Sequence, residues 1–111
     1  MDFINDSIHP PRSEFASAWF TGDRDSHSIP GMATVLHLEG DEFGLMHEVV
    51  ELSLCGGGIE ATSPKPVVPG SVVSLGFEAP GHPARRGEIV GCVRCEEGWK
   101  IGIAFDQQAA A

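Results

Sequence analysis

The chain has 111 residues, 16 of them acidic and 7 basic, for a formal net charge of −9 at pH 7. That length suits one domain with a modest core, and that charge excludes binding of DNA or an anionic membrane through the overall field. No run of about 18 apolar residues spans a bilayer, and the start, Met1-Asp2-Phe3-Ile4-Asn5-Asp6, lacks the regions of a signal peptide. A cytoplasmic protein with reduced thiols at Cys55, Cys92 and Cys95 is therefore expected.

Residues 1–31 read as an N-terminal extension full of loop signals: His9-Pro10-Pro11, then Gly22-Asp23-Arg24-Asp25-Ser26-His27-Ser28, then Ile29-Pro30-Gly31. Between them, residues 13–20 carry the spacing of a two-turn helix, capped by Ser13 and stacking Phe15 on Trp19 at i, i+4. So short a helix needs a surface to dock on. Phe15, Trp19 and Phe20 either cover the end of the domain itself or anchor a protein partner.

From Met32 the period becomes two. Strands are predicted over residues 33–38, 45–52 and 58–62, with Glu39-Gly40-Asp41-Glu42 as a turn and Ser63-Pro64-Lys65-Pro66 as a stop. After a bend at Val67-Val68-Pro69-Gly70, Val73, Leu75 and Phe77 alternate with polar or small residues. The loop Pro80-Gly81-His82-Pro83 follows. Residues 88–96 place Ile89, Gly91, Val93 and Cys95 on one face, and Trp99, Ile101, Ile103 and Phe105 form the cleanest alternation of all. Six short strands with no helix between them predict an all-β domain over residues 32–106, an antiparallel sheet closed into a small six-stranded barrel. Residues 107–111 read as a disordered tail or a frayed helix start.

The run Glu51-Leu52-Ser53-Leu54-Cys55-Gly56-Gly57-Gly58 ends the second predicted strand. Residues i and i+2 of a strand share a face, so Glu51 and Ser53 would project together. The glycines beyond them allow close approach of a ligand. Two readings follow: a cradle for a base edge or phosphate, or a bend at a barrel corner in which Ser53 satisfies backbone groups.

The order of these pieces resembles a PilZ domain. The family carries Asp or Asn, any residue, Ser, two residues and Gly at the end of its second strand, and Glu51-x-Ser53-x-x-Gly56 is similar, with Glu for Asp or Asn. Pro69-Gly70-Ser71-Val72-Val73-Ser74-Leu75 resembles the family's next strand. Residues 87–94 and 99–105 resemble its closing pair. The resemblance implies a small split barrel and a non-enzymatic bacterial signalling role. It also implies cyclic di-GMP as ligand rather than any cofactor, and partners in motility, pilus or exopolysaccharide machinery.

The family's other ligand motif, Arg-x-x-x-Arg before the first strand, is represented by Arg24 alone, flanked by Asp23 and Asp25, with Ser28 four residues on. Planar guanidinium groups fork onto guanine and neutralise phosphates, and the absence of one such group costs about 1.5–3 kcal/mol of binding. The doublet Arg85-Arg86, in the loop before the fifth predicted strand, either supplies cations from another direction or is a solvated tip. The resemblance thus implies an adaptor whose nucleotide binding is weak or lost. The alternative is a genuine receptor using Arg24, Glu51, Ser53, Gly56, Gly57 and Gly58, with Arg85 and Arg86.

Competing chemistries fare worse. Cys55 with His47 upstream lacks an accompanying carboxylate or a following helix to lower the thiol pKa, so no enzyme is expected. Cys92-Val93-Arg94-Cys95 puts its two thiols on opposite faces of a strand, which disfavours a metal site. Binding of single-stranded nucleic acid needs a basic groove that 7 basic residues do not supply.

Overall fold

The computed structural model describes residues 26–106. Its elements are β1 (Ser26–Ile29), β2 (Ala33–His37), a 3-10 turn (Gly40–Glu42), β3 (Met46–Cys55), β4 (Gly58–Ser63), β5 (Val72–Phe77), β6 (Arg85–Cys95) and β7 (Gly98–Phe105). Every pairing is antiparallel. The strands run in the order β3-β2-β5-β6-β7-β4, and β4 pairs back onto β3, closing a six-stranded barrel with β1 as one added strand. The all-β barrel read from the period-two pattern is the fold observed.

The interior is filled from every strand of the barrel. Val35, Val49, Ile59, Val73, Leu75, Ile89, Ile101 and Ile103 are all sealed from solvent. Each such side chain contributes about 1.5–3 kcal/mol of transfer free energy. Trp99 packs against this cluster with Phe77, Leu54 and Cys92. On the opposite face, Cys55 and Ala104 form a second, smaller cluster with Val90 against it.

Three expectations need correction. Ser26–Ile29 is a strand, not part of a loop-rich extension; β1 pairs with residues 52–55 of β3 while β2 pairs with residues 46–49. Four residues with a single buried apolar side chain, Ile29, carry too little alternation to announce themselves. Second, the ladder slips between Val50 and Ser53, so Glu51 and Leu52 together oppose Ala61, and Glu51 sits at φ 55. Third, a slip between Ile89 and Gly91 reverses the facing of the rest of β6. Cys92 then packs on the core and Val93 is 52% exposed, the reverse of simple alternation. In both places one extra residue on one strand breaks the period of two.

Candidate functional site

The β3–β4 connection is the two-residue turn Gly56-Gly57, closed by the Cys55–Gly58 pair, with Gly57 at φ 84. A side chain there would be strained, so glycine is required at the second turn position. Phe105, the last residue of β7, donates its N–H to Gly57 O at 2.8 Å and so fixes the turn against the barrel end. Arg85, the first residue of β6, lays its guanidinium 4.1 Å from the centroid of the Phe105 ring. Leu54, Cys55 and His27 complete a cleft of about 390 Å³ around Gly56, Gly57 and Arg85.

The fold therefore brings three of the candidate ligand-binding residues, Gly56, Gly57 and Arg85, to one place, with Cys55 beside them. It does not bring the others. Glu51 stands in the β3 bulge, and its Oε1 accepts a 2.8 Å hydrogen bond from Thr62 Oγ1. Ser53 stands between Ser28 and Glu60 in the ladder. Neither lines the cleft. Arg86 does not line this cleft; its Nε lies 3.3 Å from Asp106 Oδ2 at the exposed surface, and with Arg85 and Asp106 it lines a neighbouring pocket. Arg24, Phe15, Trp19 and Phe20 lie outside the described residues. His27 is a cleft residue that local sequence patterns do not reveal, because only its pairing opposite Leu54 puts it there.

The pairing of Cys55 with His47 does not form. The two sit at opposite ends of β3, on the order of 25 Å apart at strand rise. Cys92 accepts the Val67 N–H at its sulfur, 3.5 Å away, and neither it nor Cys95 is in a disulfide. Among the described residues no group of three or more His, Cys, Asp or Glu side chains could hold a metal ion. No helix among them is long and apolar enough to cross a membrane.

At the other end of the barrel, His37 and His47 meet Nε2 to Nε2 at 3.2 Å with rings stacked. One nitrogen must donate and the other accept. Glu42 Oε1 lies 3.5 Å from His37 Nδ1, which favours the proton on that nitrogen. His37 Nε2 is then the acceptor, His47 Nε2–H the donor, and the buried His47 Nδ1 is left without a partner. Burial, then Lys65, then His37 lower the His47 pKa from its ordinary 6.5, against a smaller opposing pull from Glu42. The unfolded chain thus takes up this proton at higher pH than the native one. The stabilisation from neutral His47 is complete above the ordinary histidine range, is lost as pH falls through it, and stops changing below the native pKa. Urea midpoints from about pH 7.5 down to pH 5 should fall more steeply for the wild type than for His47→Gln.

Two features of this end were not visible in the sequence. Phe43, Leu45, Met46 and Val50 are 70%, 48%, 64% and 42% exposed, an apolar surface running from the β2–β3 hairpin along β3. Met46–Val49 pair with β2 but, among the described residues, with nothing on their other side, because the β3–β4 ladder begins at Val50.

Searches against protein-family models, curated proteins and solved structures found no match to the chain.

Proposed function

We propose that the chain is a non-enzymatic signalling module of the PilZ type that acts by protein contact, with recognition of cyclic di-GMP lost. The observation that carries this reading is the fate of the charged groups around the glycine turn. Glu51 is held by Thr62 and Arg86 by Asp106, so among the described residues Arg85 is the one cation facing the cleft. Among the described residues, a ligand with two phosphates then meets one guanidinium in the cleft, on a chain of net charge −9. At about 1.5–3 kcal/mol for each absent charged partner, micromolar affinity does not survive. The exposed apolar hairpin supports the contact half of the reading, since patches of that kind mark interaction surfaces.

The second reading, a working receptor, draws support from Arg85, stacked on Phe105 beside Gly56 and Gly57. Calorimetric titration of cyclic di-GMP into the full chain at low and at physiological salt separates the two. The adaptor reading expects no saturable heat with nucleotide up to about 100 μM, a concentration at which any site of micromolar affinity is filled. Micromolar binding that disappears in Arg85→Ala would establish the receptor.

A further inference from the structure

We propose that the open edge of β3 at Met46–Val49 takes up an extended, basic and apolar segment of a partner protein as an added strand. This inference rests on the protein-contact reading above and names the surface and the chemistry of the partner.

Among the described residues the edge is open, for a reason written in the chain. Ser63 ends β4, and Pro64 and Pro66 follow, neither with an N–H to donate. Ser63 Oγ caps this stop, donating to Lys65 O at 2.7 Å and accepting from Lys65 N at 3.2 Å. β4 therefore leaves β3 at Val50, and the first four residues of β3 run on without it. His37 N–H donates to Leu45 O, so by antiparallel alternation His47 and Val49 turn their backbone groups to β2. The N–H and C=O of Met46 and Glu48 face the open side. Two donors and two acceptors in line are what an incoming strand pairs with.

The side chains select the strand. Phe43, Leu45, Met46 and Val50 offer apolar contact, and Glu39, Asp41 and Glu48 are exposed around them, with Glu42 beside His37. Lys65 is a cation close enough to His47 to lower its pKa. The rim is otherwise acidic on a chain of net charge −9, which repels a second copy of itself and attracts a strand carrying lysine or arginine between apolar residues.

The test uses three labelled synthetic peptides of about nine residues, read by fluorescence anisotropy against the full chain. One alternates arginine with valine, one glutamate with valine, and one has the arginine-valine order with proline at every second position. The arginine-valine peptide is expected to bind, and to weaken at least about threefold when salt rises from about 50 to 500 mM, since rim charges are screened. It should also weaken at least about threefold on Glu48→Lys, a substitution at an exposed position. The glutamate and proline peptides should not bind. Several outcomes overturn the proposal: no binding of the arginine peptide at about 1 mM, equal binding of the acidic or the proline peptide, or indifference to Glu48→Lys. A self-associated chain in sedimentation whose dimer excludes the peptide does the same. Nucleotide calorimetry reads the opposite end of the barrel. No nucleotide heat with no peptide binding sinks this inference alone, whereas nucleotide heat sinks the adaptor reading whatever the peptides do.

Discussion

Gly98→Ala is expected to cost about 3 kcal/mol or more, a large share of the stability of a domain this size. Gly98 opens β7 at φ 141, a backbone conformation that L side chains rarely adopt. A Cβ built there would lie 2.4 Å from Ser63 O and 3.5 Å from Pro64 Cα. Neither obstacle is a flexible side-chain end. Ser63 is paired with Trp99 in the β4–β7 ladder and bonded through its hydroxyl to Lys65, so the carbonyl cannot retreat without opening the barrel seam. Backbone strain and a backbone clash therefore add, where either alone costs about 1–3 kcal/mol. Urea unfolding followed by tryptophan fluorescence should show the midpoint lowered by about 1–2 M with an unchanged slope. A loss under about 1 kcal/mol would mean that the β6–β7 turn does not have the observed backbone.

Ile103→Ala is expected to cost about 3–4 kcal/mol. Ile103 is completely buried and is paired on one side with Ile59 and on the other with Ile89, themselves fully buried. The ladders on both sides of β7 hold the surrounding backbone, so the cavity cannot collapse and most of the cavity cost is retained. Val93→Ala is the instructive contrast. Uninterrupted alternation along β6 would place Val93 in the core, but the bulge turns it outward to 52% exposure. Its truncation should change stability by no more than about 0.5 kcal/mol. A large loss at Val93, measured in the same urea series, would contradict the bulge.

Those two residues show where the sequence was legible. β5 and β7 were plain because Val73 and Leu75, and Ile101, Ile103 and Phe105, alternate without interruption, and all five are buried. Strand count and closure followed from that period. The bulges at Glu51 and Val90 left no mark in composition, because a single extra residue changes facing without changing residue type. That is also why the sequence suggested a shared face for Glu51 and Ser53, while in the fold Thr62 of β4 takes the carboxylate. The meeting of Arg85 with Gly57 through Phe105 depends on contacts between β3, β6 and β7 that no local window contains. The apolar hairpin was hidden for the opposite reason. Phe43, Leu45 and Met46 carry the signal of buried residues, and nothing local shows that their side chains face solvent.

Whether the Glu51–Gly58 run is a structural corner or a ligand cradle decides between adaptor and receptor. The most direct measurement is a two-dimensional amide NMR titration of the full chain with cyclic di-GMP, following Ser53, Gly56, Gly57 and Arg85. The corner reading predicts that these resonances stay in place up to about 1 mM nucleotide, since the one guanidinium that the described residues bring to the cleft does not hold two phosphates. Saturable shifts confined to those amides, at micromolar nucleotide, would contradict it.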